Sequence, residues 1–553
     1  MMMSAQSTAV LTSQQPPWTS VEPAATGDKQ RWPTILTGVI DSLVHASAAL
    51  AYARDAQLAQ ARIDEAKTII GAVSKLKHDL ARDRALEPIT RQTPESEPDP
   101  RHYNAVIEAE HPTWFHASWL FAECHLYATL RALFAHSTHW TEFDPFALQK
   151  IQTLKSSGDA IRALAKSVSS VIESSDVANS PEGQKALFLE MATMSLWGNA
   201  TDLSLLTSLS YKDIQDLQAS SAEQQRAKAR FILANDLERT WDDVFAHLPN
   251  HTPQQLVAAE GTDSVGVRVD IVLDNSGFEL YTDLLFADWL LSTGKVREVV
   301  FHPKNMPWFV SDVNPSDFRH IVTALLSPED FFLLEDGTAV KHASVQTPEG
   351  IDPAYFADAH GRPCSPSASY IIDSASVPPP TAKDLGLRST SSSSEKEAKD
   401  LSEMEALKAT AARWVHHIDS GRFKLSMPLE AKLGRKAPAS SPGTDFWTEP
   451  MGYAEMEKYA PELLADLQNS ALVIFKGDLN YRKLTSDLNW PSTTPFEAAL
   501  GPLAGKLNIL SLRTCKADVC VGLAEGVEEK VVAEDPKWRI NGKWAVVQLS
   551  LRK

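Results

Sequence analysis

Two apolar segments on either side of a helical pattern constrain the fold of this chain more than any other feature. Residues 267–273 and 296–302 are rich in β-branched and apolar side chains, which predicts two buried strands. Residues 278–291 between them follow a helical pattern, so the three segments form a strand–helix–strand unit. The strands of such a unit are parallel, with a right-handed crossover. The sequence therefore predicts an open α/β sheet, in which ligands bind beyond the carboxyl ends of the strands.

Two oxygen-bearing side chains, Asp274 and Asn275, follow the first predicted strand, and Ser276-Gly277 then interrupts the pattern before the helix. A carboxylate next to an amide suits a hard divalent cation such as Mg²⁺ or Mn²⁺. The alternative is a capping turn, because Asp and Asn are common at helix N-termini.

A second carboxylate is expected at the same edge of the sheet. Asp312 follows the second strand after a short Pro-containing stretch. Asp274, Asn275 and Asp312 together would make a sparse oxygen site that leaves coordination positions for water and substrate. The alternative is that Asp312 caps the next helix.

Positive charge follows two further predicted strands, at residues 471–475 and 507–512. Lys, Gly, Asp, Asn and Arg cluster in residues 476–484, which predicts an anion-binding loop. The second strand ends in Arg513-Thr514-Cys515-Lys516. Basic groups beside a divalent ion are typical of phosphoryl transfer. Each loop alone could be a solvated turn, but both would converge on the predicted metal site.

These segments resemble the damage-control phosphatases, which are metal-dependent phosphatases of sugar phosphates and damaged phosphometabolites. Residues 272–280, followed by Thr282-Asp283-Leu284, are similar to the family's metal-site signature. Residues 476–484 and the Arg-Thr-x-Lys motif at 513–516 resemble a subfamily that includes a protein described as an acidic-residue methyltransferase. Further matches lie at residues 114–115, 119–124, 196–199, 202–204 and 446–450. The resemblance covers about residues 31–552.

The resemblance implies a specific set of site residues. It assigns the metal to Asp274, Asn275 and Asp312, and the substrate to Asp274, Asn275, Asp478, Leu479, Asn480, Tyr481, Arg482 and Lys516. From the basic motif we add Arg513 as a substrate-binding residue, and we expect Asp274 and Lys516 to be catalytic. The implied cofactor is Mn²⁺, Co²⁺ or Ni²⁺, with Mg²⁺ sometimes sufficient. The nucleophile is either a metal-activated water or Asp274.

The resemblance also implies the architecture, a helical N-terminal region packed on a C-terminal α/β/α sandwich with a mainly parallel sheet. We expect a disordered tail at 1–30, a helical domain at 31–260 and an α/β catalytic domain at 261–553. A Pro- and Ser-rich stretch at about 376–400 predicts an exposed low-complexity insertion in the catalytic domain.

The composition of the chain narrows the range of expected binding partners. The net charge of −18 argues against a nucleic-acid partner but does not exclude an anionic substrate, which responds to the local field of a cleft. There is no run of 18 apolar residues and no signal-peptide pattern, so we expect no membrane partner and a cytoplasmic location, with the nucleus as the alternative. The four cysteines show no metal-binding or disulfide spacing. Oligomeric state does not follow from the sequence.

Three single residues carry further expectations. Glu123 lies in an apolar helical segment, which predicts a structural pair with a buried base, or alternatively a carboxylate directed at the site. Cys515 lies inside the basic motif, yet we expect it to face the core and not to act as a nucleophile. His125 stands where the family is expected to have an aromatic residue.

The predicted function is metal-dependent hydrolysis of phosphomonoesters of sugars or damaged phosphometabolites, with fructose 1-phosphate-like substrates. The alternative is an S-adenosylmethionine-dependent protein-glutamate carboxyl methyltransferase. Against it, no Gly-rich turn of the kind that binds a cofactor nucleotide follows a predicted strand. A third hypothesis, a non-catalytic interaction protein, leaves the metal and basic motifs without a role.

Overall fold

The computed structural model describes nine stretches of the chain. These are residues 11–14, 31–50, 56–92, 98–173, 180–199, 229–251, 266–332, 394–441 and 443–553. Most of the tail predicted at 1–30 and of the insertion predicted at 376–400 lies outside these stretches. Within the tail range, Ser13 forms an antiparallel bridge with Leu488.

A seven-stranded sheet forms the centre of the α/β part. Its strands are β1 Ile232–Asn235, β2 Val267–Val272, β3 Val296–His302, β4 Phe423–Leu425, β5 Leu472–Lys476, β6 Ile509–Thr514 and β7 Ala545–Ser550. The spatial order is β1-β7-β6-β5-β2-β3-β4. All neighbours are parallel except β6 and β7. The mainly parallel sheet confirms the predicted fold class.

The strand–helix–strand unit is confirmed. Strands β2 and β3 are parallel neighbours, and β5 pairs with the other side of β2. The site-bearing strands β3, β2, β5 and β6 are therefore adjacent, with their carboxyl ends at one edge. Strand β1 lies inside the range predicted to be a helical domain, yet it joins the sheet beside β7.

Helices precede and surround the sheet. Those before residue 230 are α1 Arg31–Leu50, α2 Ala56–Ala81, α3 Arg101–Glu110, α4 Trp119–Ala135, α5 Ala147–Ser156, α6 Gly158–Glu173 and α7 Pro181–Gly198. Those after it are α8 Leu237–Thr240, α9 Phe278–Ser292, α10 Pro315–Leu326, α11 Pro328–Phe332, α12 Ser394–Asp419, α13 Met456–Tyr459, α14 Pro461–Leu467, α15 Gly477–Leu484, α16 Phe496–Leu500 and α17 Val527–Glu534. A π-helical turn follows α8, and short 3₁₀ helices occur at Ala229–Phe231, Thr444–Thr448, Tyr453–Glu455 and Gly501–Leu503.

Among the described residues, apolar side chains form three cores. One face of the sheet packs against α6, α7, α9, α10 and α12, and the other packs against α14, α16 and the chain around them. Alternation along the strands produces this division, since Ile474 faces the first core and Val473 and Phe475 face the second. The third core joins α1 to α4 with Trp308, Leu479 and other residues beyond the strand ends. The N-terminal helices thus cover the edge of the sheet where the site was expected.

Within the described stretches, no helix is both long and apolar enough to cross a membrane.

Candidate active site

A cavity lies at the carboxyl edge of the sheet, between the strand ends and the N-terminal helices. It is lined by Arg31, Trp119, Asp274, Asn275, Phe309, Ser311, Asp312, Asp478, Leu479, Arg482 and Lys516. The structure therefore brings together the three predicted metal-binding side chains, three of the five residues expected from 478–482, and Lys516.

Asp274 and Asn275 follow β2, and hydrogen bonds fix both side chains. Asp274 Oδ2 accepts from Nδ2 of Asn199 at 2.7 Å and from Nδ2 of Asn275 at 2.9 Å. Asn275 Nδ2 also donates to Oε2 of Glu279 at 2.7 Å, while its Oδ1 accepts from the hydroxyl of Ser311 at 2.6 Å. The N-cap of α9 is the glycine at 277, with no side-chain capping bond. The alternative of an Asp-Asn cap is therefore wrong.

Asp312 reaches the same place from the segment after β3. It forms a β-bridge with Asn275, and the next backbone N–H, that of Val313, donates to the carbonyl oxygen of Asp274 at 2.8 Å. The buried ammonium of Lys304 lies 3.5 Å from Oδ2 of Asp312 and donates to the carbonyl of Leu273. Helix α10 is capped by Asn314 in a capping box, so the alternative of Asp312 as the cap is wrong.

The turn that carries Asp312 has an unusual backbone. Phe309 and Val310 have φ angles of 45° and 67°, in the left-handed region that a β-branched residue rarely adopts. The ring of Phe309 stacks on Tyr127 of α4 at 5.0 Å between centroids, which helps to hold the turn. Such strained turns are concentrated at functional sites, where the surrounding structure over-determines them.

The donor set of this edge fits a divalent cation. Asp274, Asn275 and Asp312 offer two carboxylates and an amide oxygen, and hard cations take such oxygen ligands. Hydrogen bonds fix this amide, with its nitrogen toward Asp274 and Glu279 and its oxygen toward the hydroxyl of Ser311. No cluster of three or more His, Cys, Asp or Glu suited to a metal occurs in the described part of the chain. A site here would depend on the asparagine as its third ligand.

The predicted anion-binding loop at 476–484 is wrong in its secondary structure, because residues 477–484 form helix α15. The helix begins at Gly477, whose φ is +81°. A Cβ at this position would lie 1.8 Å from Oδ2 of Asp274, so only glycine lets the helix start this close to the carboxylate. The helix directs Asp478, Leu479 and Arg482 toward the cavity.

Asn480 and Tyr481, expected to bind substrate, do not line the cavity. Asn480 accepts from the hydroxyl of Tyr453 and donates to the carbonyl oxygen of Leu273 at 3.2 Å. Tyr481 donates to Gln548 on β7 at 2.9 Å. Both side chains are fully buried and anchor α15 to the sheet.

Arg482 is held rigidly in the cavity wall. Its Nε and Nη2 donate to both carboxylate oxygens of Asp487, its Nη1 donates to Glu123 at 3.2 Å, and its guanidinium lies 4.2 Å from the ring centroid of Trp119. Burial lowers the pKa of Arg482, but Asp487 and then Glu123 outweigh burial and raise it overall. The prediction that Glu123 pairs with a buried base is confirmed.

Lys516 and Arg513 have different surroundings. Lys516 lines the cavity, and its Nζ donates to the backbone oxygen of Asn199 at 2.6 Å and to Oδ1 at 3.1 Å. Arg513 is fully buried on β6 and does not line it. Its Nε donates to Oδ1 of Asp478 at 2.8 Å, and its Nη2 donates to the backbone of Ala517. These contacts show that Arg513 fixes Asp478 and the loop that carries Lys516.

Beneath the site lies a buried ionic network that the sequence analysis did not assign to it. Lys476 Nζ contacts Asp283 at 2.7 Å, Glu279 at 3.3 Å and the Ser195 hydroxyl at 2.7 Å. Burial raises the pKa of Asp283 to about 7, although Lys476 opposes the shift. The available signal for this network was the four-residue spacing of Glu279 and Asp283 inside a mainly apolar helix.

Other residues also escaped the sequence analysis. Asn199 was matched only as part of a motif, yet its side chain joins Asp274, Glu279 and the hydroxyl of Thr514. Arg31 lines the cavity from the first residue of α1, and no local pattern marks it. Asp202 and Cys364 lie outside the described residues. Cys515 is fully buried in the core, where the contact with Cys520 and then burial raise the pKa of its thiol, as expected for a residue that is not a nucleophile.

Comparison with known proteins gives a consistent assignment. The sequence profile of the damage-control phosphatase ARMT1-like domain matches residues 28–531. Damage-control phosphatase ARMT1 of Danio rerio is 30% identical over 534 residues, covering 94% of this chain and 93% of that protein. The Homo sapiens protein of the same name is 29% identical over 530 residues, covering 94% of each. A crystal structure of a DUF89 family protein from Pyrococcus horikoshii aligns over 94% of this chain and 98% of that one, at 10% identity, but its TM-score of 0.31 supports no conclusion.

Proposed function

The chain belongs to the damage-control phosphatase ARMT1-like family, and on this basis we propose that it is a divalent-metal-dependent phosphomonoesterase. Family membership supports the broader activity, that of a phosphatase of damaged metabolites. The proposal adds the metal and the substrate class, which comprises small phosphorylated metabolites such as sugar phosphates, with fructose 1-phosphate-like compounds among them.

The observation that supports this function most strongly is that one cavity is lined by both oxygen donors and cations. Three carboxylates face it, from Asp274, Asp312 and Asp478, together with three cationic groups, those of Arg31, Arg482 and Lys516. These charges balance, so a bound divalent cation would give the cavity a net positive charge. A phosphate monoester would be attracted to such a cavity although the whole chain carries −18.

In the proposed mechanism, Asp274, Asn275 and Asp312 would hold one divalent cation, which when bound supplies neutralisation of charge on the phosphate. Lys516 holds a phosphate oxygen and stabilises the charge that grows as the ester bond breaks. Its ammonium is already oriented by the backbone and side chain of Asn199. The oxygen of a water molecule replaces the ester oxygen on phosphorus. A proton that this water loses passes to the ester oxygen, so the organic part leaves as an alcohol.

The remaining residues of the cavity bind and orient. Arg482 offers a guanidinium fixed by Asp487 and Glu123, so little side-chain entropy is lost when it binds an anion. Asp478 is held by Arg513 and is placed to accept hydrogen bonds from substrate hydroxyls. The apolar walls formed by Trp119 and Leu479 exclude water around the phosphate.

A phosphate-release screen tests the proposal. Purified full-length protein is incubated with a panel of phosphomonoesters and Mn²⁺, Co²⁺, Ni²⁺ or Mg²⁺, before and after treatment with a chelator. We expect metal-dependent release of phosphate from sugar phosphates. Asp274→Ala should abolish both this release and calorimetric binding of Mn²⁺, while circular dichroism shows that the protein is still folded.

The matched control is Asp242→Ala, which removes an exposed aspartate that pairs with Lys185 away from the cavity. This variant should keep both metal binding and activity. Normal turnover by Asp274→Ala would contradict the site assignment. Transfer of a methyl group from S-adenosylmethionine, without release of phosphate from any ester, would favour the methyltransferase alternative.

A further inference from the structure

We propose that Arg31, the first residue of α1, is a substrate-binding residue that contacts an oxygen of the substrate's phosphate group. The N-terminal helices would then complete the binding site and not merely cover it. This inference rests on the proposed phosphatase function, because it names a further ligand for the same phosphate.

The position of Arg31 supports a ligand role. Its side chain lies in the cavity wall with Lys516 and the predicted metal-binding residues, and it is 17% exposed. Part of this accessible surface therefore lies in the cavity, beside the groups proposed to bind the phosphate. A guanidinium in such a place matches the geometry of phosphate oxygens, which it can contact through two parallel N–H groups.

Glu123 of α4 fixes Arg31 in this position. Its carboxylate is fully buried, and Oε1 lies 3.1 Å from Nη1 of Arg31 and accepts from the indole N–H of Trp32 at 3.2 Å. The opposite oxygen, Oε2, accepts from Arg482 at 3.2 Å. One carboxylate therefore orients two guanidinium groups, one from the helical region and one from α15. Positioning both groups before substrate arrives lowers the entropic cost of binding.

A purely structural role for Arg31 would not require its guanidinium to line the cavity. The contact between Arg31 and Glu123 would join α1 to α4 equally well if the guanidinium were sealed from the cavity. The buried face of α1 is already anchored by Trp32, Leu36, Val39 and Leu43, which are almost completely buried. The exposure of Arg31 to the cavity is therefore the feature that a ligand role explains and a structural role does not.

The charges of the cavity lining also support a phosphate-binding role for Arg31. With Arg31 the cavity lining has as many cationic groups as carboxylates, whereas without it the carboxylates of Asp274, Asp312 and Asp478 outnumber the cations. Loss of Arg31 should therefore weaken binding of every anion at this site. The effect of this loss on kcat should be smaller, because Lys516 remains to stabilise the transition state.

The test uses Arg31→Gln in the full-length chain, with inorganic phosphate as the probe. Arg101→Gln is the matched control, since Arg101 is also the first residue of a helix and pairs with a carboxylate, that of Asp99, but lies outside the cavity. We expect Arg31→Gln to weaken competitive inhibition by phosphate and to raise KM by about 10- to 100-fold, with a smaller change in kcat. Arg101→Gln should match the wild type in phosphate inhibition, KM and kcat.

Wild-type KM and phosphate inhibition in a folded Arg31→Gln protein would overturn the inference. If this variant does not fold, Arg31→Lys carries the same test, because it keeps the charge beside Glu123 but lacks the planar guanidinium that presents two parallel N–H groups to phosphate. Failure of both variants to fold would show a structural role and would also overturn it. Failure of the proposed function looks different, because the wild-type protein itself would then release no phosphate from any ester.

Discussion

Replacing Gly477 by alanine should inactivate the enzyme through Asp274, a residue 203 positions earlier in the chain. Gly477 starts α15 directly against the carboxylate at the end of β2. An added Cβ would lie 1.8 Å from Oδ2 of Asp274, 2.2 Å from Cγ and 2.8 Å from Cβ. Since non-bonded carbon atoms are best separated by about 3.5–4.0 Å, the carboxylate or the helix must move by more than about 1 Å.

Two effects of this substitution can be separated. The first is a backbone cost of about 1–2 kcal/mol, because the φ of +81° at Gly477 is unfavourable for alanine. The second is the displacement of the proposed metal ligand Asp274. A displacement of about 1 Å at a reacting centre costs about 100-fold in rate, so kcat/KM for phosphate release should fall by at least about that factor.

Gly526→Ala provides the control for the backbone effect alone. Its φ of +77° is almost the same, but a Cβ there meets nothing within 4 Å. Urea unfolding should show a loss of about 1–2 kcal/mol for this variant, with kcat/KM unchanged. The reasoning would be refuted if Gly477→Ala kept kcat/KM within threefold of the wild type, or if Gly526→Ala lost as much activity.

Two predictions concern the pH dependence of stability. The pKa of Asp283 is raised to about 7 by burial, above its unfolded value of 3.8, so its stabilising contribution is complete below that value and is lost as pH rises through 7. Asp283→Asn should therefore make the free energy of unfolding less sensitive to pH between 5 and 8 in urea titrations; an unchanged pH profile would contradict this. Burial lowers the pKa of His125 to about 4 from 6.5, so its contribution is present above 6.5 and is lost as pH falls through 4. His125→Phe should reduce the loss of stability between pH 6.5 and 4, by about 3 kcal/mol at most, and equal acid sensitivity of the two proteins would refute it.

The part of the fold that the sequence predicts is the part encoded by short-range patterns. The predicted strand at 296–302 is observed with the same limits, and that at 267–273 ends one residue earlier, because uninterrupted apolar runs of this length favour buried parallel strands. The convergence of Asp274 and Asp312 followed from topology alone, since parallel neighbours end at one edge. Neither inference required knowledge of distant contacts.

Helix α15 could not be predicted in this way. Its sequence is mostly polar and begins with glycine, which is typical of a loop, yet all its residues are buried. Their polar groups are satisfied by segments far away in sequence. Lys483, for example, donates to the backbone oxygens of Trp447 and Glu449, and burial lowers its pKa to about 8. A buried polar helix is stable only with such hydrogen-bond partners, and the local sequence pattern does not indicate where they are.

His125 shows the same limit at a single position. The family resemblance predicts an aromatic residue at this position, and the sequence alone does not explain the histidine. In the structure its ring lies among Tyr103, Trp114 and Phe121, at 5.6–6.3 Å between centroids, and its Nε2 lies 2.9 Å from the backbone oxygen of Glu87. A neutral imidazole therefore fills the place of an aromatic side chain.

The buried charges beneath the site explain how its geometry can be held without a covalent constraint. Glu279 accepts hydrogen bonds from both Asn199 and Asn275, and Lys476 at the end of β5 contacts Glu279 and Asp283 of α9. Removing one member would leave an uncompensated buried charge, which is strongly unfavourable. The strand ends and the helix between them therefore cannot shift independently. This coupling also fixes the Asn275 amide, whose nitrogen donates to Glu279 and whose oxygen accepts from Ser311.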